Sequence, residues 1–250
     1  TSGSYTQSLR GKKYWFKIVD DYSRKNWNYF MKKKEEVPAT LEEFIKEMRT
    51  KGIKIRYVRM DNAGEHGRKL REVCKKYDIE MEYVAPSTPQ HNGVVERSFT
   101  IDLRRLHAMM VQAQFTKGTV NMLWPYAIAT LGKLKNMSIT SANNNRSPNE
   151  LFGTEDNNIA PYLIEFRRIG YVADRAKIKG KMKPRSMRCI MVGYAENHSP
   201  DTYLMYNPKT RYVIMSRDIR WADFNRPQPH DGLNMHRIGE EDDGSDTMFE

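Results

Sequence analysis

Hydrophobic and polar positions change period several times along the chain, and each change marks an element. Tyr14 to Val19 is a dense aromatic and branched run, followed by Asp20-Asp21-Tyr22-Ser23 and a second such run, Trp27 to Met31, which predicts a β-hairpin. Leu41, Phe44, Ile45 and Met48 then recur at helical spacing, with Thr40 and Glu43 spaced as a capping box and Gly52 placed to end the helix. Ile53 to Val58 alternates with basic residues and reads as a strand turning at Asn62-Ala63-Gly64. Leu70, Val73, Cys74 and Tyr77 return to helical spacing, and Ile79 to Val84 is a further strand stopped by Pro86. Hairpin, helix, strand, helix, strand is the order of a mixed sheet with helices on its faces, so the predicted class is α/β.

From Asn92 the pattern is helical again, with Val95, Phe99, Leu103, Leu106 and Met110 on one face, and Gly118 separates this helix from another through Trp124 to Leu134. Residues 141–158 are rich in Asn, Ser, Pro and Gly and read as a connector. Beyond it lie short strand-like runs, Ile190 to Tyr194, Thr202 to Tyr206 and Tyr212 to Met215, separated by turn formers such as Asn207-Pro208, which predicts a small, mostly β module. The expected organisation is a core over 1–145, a connector over 146–165, a basic β module over 166–225 and a tail over 226–250. That tail is expected to be disordered, because its last eleven residues carry six acidic side chains and no basic one.

Composition narrows the function classes. With 250 residues, 39% hydrophobic and 29% charged, most of the chain can fold around a sizeable core. No apolar run approaches the roughly 20 residues that span a bilayer, and Thr1 to Lys13 lacks a signal-peptide centre, so no membrane partner is expected. Cys74 and Cys189 stand far apart, which excludes a disulfide framework and a cysteine-rich zinc site and fits a reducing compartment. The net charge of +11 favours a polyanion, since neutralising phosphates releases their counterions.

That charge is concentrated. Between Arg167 and Arg188 stand nine basic residues and one acid, Asp174. Lys177, Lys179, Lys181 and Lys183 alternate, so an extended segment projects all four ammonium groups to one side, which suits a phosphate backbone and reads no bases. The competing reading is a solvated loop around Gly180 and Pro184.

Two carboxylates occupy edges of elements. Asp61 stands where a strand ends, and Glu96 in the first turn of the helix that opens with Asn92-Gly93. A sheet fixes such a carboxylate while its loop leaves it open to ligand. Taken singly, each also has an ordinary role that is favoured: Asp61 as a turn residue and Glu96 as a complement to the helix dipole.

Their surroundings shift that balance. The run from Pro86 to Arg97, PSTPQHNGVVER, resembles the PQxNGxxER segment of copia-type retrotransposon integrases, and Arg59 to Glu65 resembles their RxDNGGE segment. Glu96 follows Asp61 by 35 positions, close to the spacing of the second and third carboxylates in the DDE integrases and transposases. Tyr14 to Arg24 is similar to the strand and IDDYSR of that family, and Gly193-Tyr194 and VIMSRDI, residues 213–219, to its GY and SRDV segments. The resemblance covers roughly residues 10 to 225.

The resemblance implies an RNase H-like core, a mixed five-stranded sheet flanked by helices, belonging to a Gag-Pol-type polyprotein. It implies three carboxylates holding two Mg²⁺ or Mn²⁺ ions, with Asp61 and Glu96 as catalytic and metal-binding residues. Two such cations about 3.5–4 Å apart activate a 3′-hydroxyl and stabilise the leaving oxygen in strand transfer, without a covalent enzyme intermediate. Arg97 and Arg104, beside Glu96, are assigned to DNA. The implied partners are element ends, target DNA and further copies of the chain, and the implied location is the nucleus and a cytoplasmic virus-like particle.

Departures are few. The first Asp of the triad has no counterpart after Thr1 and is expected just upstream, so the chain is read as truncated at its start. Asp20 and Asp21 match the family's own hairpin turn instead. Ala63 replaces a Gly, and His66 an aromatic residue. The six histidines have no ligand-like pairing with cysteine, and the zinc-binding His-His-Cys-Cys domain is not in this sequence. The alternative is a catalytically inactive nucleic-acid-binding remnant that keeps the fold and the basic surface.

Overall fold

The computed structural model describes residues 2–3, 6–60, 67–83, 93–154, 159–173 and 186–222. Its first half is built on an antiparallel hairpin, β2 (Tyr14–Val19) and β3 (Asn26–Met31), with the short β1 (Ser2–Gly3) paired to β2. The expected aspartate turn closes the hairpin. Asp20 accepts hydrogen bonds from the Ser23 amide at 2.8 Å and the Ser23 hydroxyl at 2.6 Å, and Asp21 pairs with Arg24. Both carboxylates are thus used locally.

Period-two alternation sends β2 side chains to two layers. Tyr14, Phe16 and Ile18 pack on the cluster formed with α1 (Val37–Thr50) and α2 (Gly67–Lys76), which buries Leu41, Phe44, Ile45, Met48, Leu70 and Cys74. Trp15 faces the opposite way, into a second cluster with α3 (Gly93–Gln112) and α4 (Lys117–Met137). The hairpin is therefore the filling between two helical layers, which is the α/β arrangement the pattern predicts. Strands β4 (Tyr57–Met60) and β5 (Glu80–Tyr83) form a parallel pair, so the five strands of this half are hydrogen bonded as three and two among the described residues.

Several boundaries differ from the sequence reading, for local reasons. Helix α1 begins at Val37, ahead of the expected Thr40 cap, because Pro38 in the first turn has its φ preset and gives up an amide that needs no partner there. The Glu36 carboxylate instead accepts from the Lys32 and Lys33 amides, and the Thr40 hydroxyl donates to the Glu36 carbonyl. Strand β4 starts at Tyr57 rather than Ile53, since its partner β5 begins at Glu80, the residue opposite Tyr57. Gly118 does not interrupt the chain between helices; it lies inside α4, whose cap is Thr116, accepting from the Thr119 amide at 3.3 Å. The connector contains α5 (Pro148–Phe152), capped reciprocally by Ser147 and Glu150.

The second half is a five-stranded antiparallel sheet, in the order β10 (Ile219–Trp221), β6 (Ile169–Ala173), β7 (Ser186–Tyr194), β8 (Tyr203–Asn207), β9 (Tyr212–Ser216). The three strand runs read from the sequence are β7, β8 and β9. Alternation again divides the side chains: Cys189, Met191 and Met205 close the sheet's own core, whereas Ile190, Val192 and Tyr206 join Leu123, Ala127 and Ile128 of α4. The β module is thus seated on the helical layer by a shared apolar core, in which each fully buried Leu, Ile or Val contributes about 1.5–3 kcal/mol. Helix α4 also approaches β3 closely at Gly132, where a Cβ would stand 2.2 Å from Asn28 Nδ2.

Candidate functional site

Strand β4 ends at Met60, the residue before Asp61, and Asp61 lies outside the described residues. The parallel register pairs Met60 with Tyr83, so the chain leaves β4 and β5 at the same end of the pair. One departure leads through Asp61 and the other, ten residues on, to α3. This is the strand-end arrangement in which loops of an α/β sheet gather ligand groups.

Glu96 occupies the first turn of α3 and is exposed. Among the described residues nothing pairs with its carboxylate. Helical geometry, at 100° per residue, groups Glu96, Thr100, Arg104 and Arg97 within an arc of about 100°. All four are exposed, and the Thr100 hydroxyl returns to the Glu96 carbonyl at 3.1 Å. One helix face thus offers an anionic oxygen donor at its positive end beside two guanidinium groups, which combines a hard-cation ligand with groups that bind phosphate.

Of the other sequence candidates, Lys177, Lys179, Lys181 and Lys183 lie outside the described residues, as do Ala63, His66 and the 226–250 tail. Among the described residues no group of three or more His, Cys, Asp or Glu side chains is placed to hold a metal. The described helices include none long and apolar enough to cross a membrane.

On the inner side of α3 the structure holds a feature that sequence reasoning missed. The apolar face read as Val95, Phe99, Leu103, Leu106 and Met110 is rotated: the fully enclosed stripe is Ser98, Asp102, Leu106 and Met110, and Val95, Phe99 and Leu103 are half-buried beside it. Asp102 pairs through one oxygen with Lys17 of β2 and through the other with Lys135 of α4, at 2.5 and 3.1 Å. The Ser98 hydroxyl accepts from both ammonium groups. Lys17 lies 5.4 Å from the ring centres of Trp15 and Phe99, and burial pushes its pKa down to about 8 against the opposing pull of Asp102. A signal was available in the sequence: Ser98 and Asp102 continue the Leu106 and Met110 stripe at four-residue spacing, and a carboxylate on a core stripe needs a cation.

Comparison with known proteins gives the class first. Residues 169–231 of the chain match the retroviral polymerase SH3-like domain. More particularly, the chain is homologous to Pol polyproteins of plant transposons. It is 30% identical over 216 residues to the retrovirus-related Pol polyprotein from transposon TNT 1-94 of Nicotiana tabacum, covering 85% of this chain and 16% of that protein. It is 28% identical over 213 residues to the corresponding polyprotein from transposon RE1 of Arabidopsis thaliana, covering 84% of this chain and 14% of the relative. The chain therefore spans about a sixth of these relatives. Among solved structures, a simian T-cell lymphotropic virus intasome aligns with 90% of this chain and 78% of its own at a TM-score of 0.44 and 14% identity. The HTLV-2 integrase catalytic core domain in complex with magnesium aligns with 58% of this chain and 89% of its own, at a TM-score of 0.39 and 17% identity.

Proposed function

We propose that this chain is the catalytic core and following β module of a retrotransposon integrase, acting in metal-dependent DNA strand transfer. The observation that carries the reading is the exposed Glu96 carboxylate in the first turn of α3, with Arg97 and Arg104 on the same face, following β4 and β5 strands that end together. The ordered motifs around Asp61 and Glu96 support it.

The donor set fits a hard divalent cation in kind, since both residues offer carboxylate oxygens and the Glu96 carboxylate is exposed with nothing paired to it among the described residues. Asp61 and Glu96, with a third carboxylate upstream of Thr1, would hold two Mg²⁺ or Mn²⁺ ions. When bound, these ions supply an activated 3′-hydroxyl and charge stabilisation for an in-line displacement at a target phosphodiester. The chain's own residues hold the reactants. Arg97 and Arg104 orient element DNA through its phosphates, and Lys177, Lys179, Lys181 and Lys183 grip a phosphate backbone without reading bases.

The working division is a core over 1–145, a connector over 146–165, a basic β module over 166–225 and an acidic tail over 226–250. The partners in this reading are element ends, target DNA and further copies of the chain, within the nucleus and a cytoplasmic particle.

The test is strand transfer by the chain extended upstream of Thr1 to restore the first Asp. Asp61→Asn and Glu96→Gln are expected to abolish product while DNA affinity and melting temperature stay near wild type. Retained activity in either variant would remove that residue from the site, and inactivity of the extended wild-type chain would favour the binding remnant.

A further inference from the structure

Two ammonium groups and one carboxylate meet beneath α3, an unbalanced set of charges in a nearly closed place. The side chains of Lys17 and Asp102 are 0% and 2% exposed, and that of Lys135 is 18% exposed. Buried charge is a poor source of net stability, because desolvation offsets much of the attraction. Its distinctive property is direction. Hydrophobic burial is non-directional, whereas each hydrogen bond to an ammonium group fixes a place and an angle.

The buried stripe of α3 divides at its middle. Its C-terminal half is apolar, Leu106 and Met110, and its N-terminal half is polar, Ser98 and Asp102. The two Asp102 oxygens are committed to different elements, Oδ2 to Lys17 on β2 and Oδ1 to Lys135 on α4. One turn earlier the Ser98 hydroxyl binds the same two cations. Rotating the helix by one residue, about 100°, or sliding it by about 1.5 Å, would break several of these contacts together. Glu96 stands two residues before Ser98, about 200° around the helix, so pinning Ser98 inward presents Glu96 outward.

We propose that Lys17, Ser98, Asp102 and Lys135 are positioning residues that fix the rotation and register of the first turns of α3, and thereby the place from which Glu96 acts. The link to Glu96 rests on the metal-ligand reading above; the anchoring of the helix does not.

Hydrogen exchange followed by mass spectrometry on the whole chain tests the anchoring directly. In Asp102→Asn, amides over residues 97–104 are expected to exchange at least tenfold faster than in wild type, with residues 106–112 unchanged. Because that substitution leaves two ammonium groups without their carboxylate and endangers folding, the apolar pair Lys17→Met with Asp102→Leu is the second variant. It is expected to fold and melt near wild type yet show the same local acceleration. Wild-type exchange over 97–104 in the apolar pair, or acceleration spread evenly over α3, would overturn the proposal. Mn²⁺ titration, followed by loss of the free-ion paramagnetic resonance signal, separates the anchoring of α3 from its link to Glu96. Asp102→Asn should weaken Mn²⁺ binding about tenfold, as loss of support behind a ligand does, and Glu96→Gln should weaken it more. Accelerated exchange with undiminished Mn²⁺ affinity in Asp102→Asn, while Glu96→Gln loses affinity, would overturn the link to Glu96. Wild-type affinity in Glu96→Gln would instead defeat the metal reading and leave the anchoring standing.

Discussion

Raising the pH should stabilise the fold through Lys17, and the size of the effect follows from its surroundings. Burial holds its pKa near 8 in the folded chain against 10.5 for an ordinary lysine. Between those values the unfolded chain retains a proton that the folded chain has released, so unfolding free energy rises with pH across that window. The cost of keeping Lys17 charged is fully present below about pH 8 and is relieved as pH approaches 10.5. At 1.36 kcal/mol per pKa unit the full window is worth about 3 kcal/mol, of which about 2 kcal/mol falls between pH 7.5 and 9.5. Other groups work in the opposite direction. Burial raises the Tyr29 pKa, and pushes Cys189 up to about 11, so these groups lose stability as pH rises through their unfolded values. The informative quantity is therefore the difference between wild type and Lys17→Met, which retains the Asp102 to Lys135 pair. Urea denaturation at the two pH values, with equal m-values as the check on comparable unfolding, should show wild type gaining about 2 kcal/mol relative to the variant. Parallel pH dependence in the two proteins would refute the reasoning.

Other consequences concern different surfaces. Replacing Lys177, Lys179, Lys181 and Lys183 by Gln should weaken binding equally on two unrelated duplexes and reduce the slope of log K against log salt by up to about 3.6, at about 0.9 per phosphate contact; an unchanged slope would make the segment a solvated loop. Gly132→Ala should destabilise the protein, because the new Cβ would lie 2.2 Å from Asn28 Nδ2, and Asn28 is held by hydrogen bonds to Asn26 and Trp15. Overpacking of this kind costs about 1–3 kcal/mol, which should lower the melting temperature by several degrees, and a melting temperature at or above wild type would contradict the close approach of α4 to β3.

The elements were legible where one local pattern decided them. Trp27 to Met31 and Tyr14 to Val19 pair across a turn whose aspartates bond within it, so neighbours in sequence are also neighbours in space. Strands β7 to β9 were readable for the same reason, each being a short run between turn formers. What was lost depended on distant partners. Lys17 and Asp102 are 85 positions apart, and each alone resembles a surface residue. The four-residue spacing of Ser98, Asp102, Leu106 and Met110 is a weak signal beside the more apolar stripe of Val95, Phe99 and Leu103, and only the distant Lys17 makes a carboxylate on the buried face plausible. The seating of the β module on α4 escaped for a related reason: Ile190 and Val192 are as apolar as Cys189 and Met191, so alternation alone could not reveal that both faces of β7 are covered. In the candidate site, Glu96 was legible as the first turn of a helix, whereas its relation to Asp61 depends on tertiary structure that spacing cannot supply.

A crystal structure of the chain extended upstream of Thr1, grown with Mn²⁺ and measured at the manganese absorption edge, decides whether Asp61 and Glu96 share an ion. Anomalous density bridging the Asp61 and Glu96 carboxylates is expected, with oxygen ligands at about 2.0–2.3 Å as for a small hard cation. Carboxylates directed to opposite faces of the sheet, with manganese bound elsewhere or not at all, would contradict a shared ion.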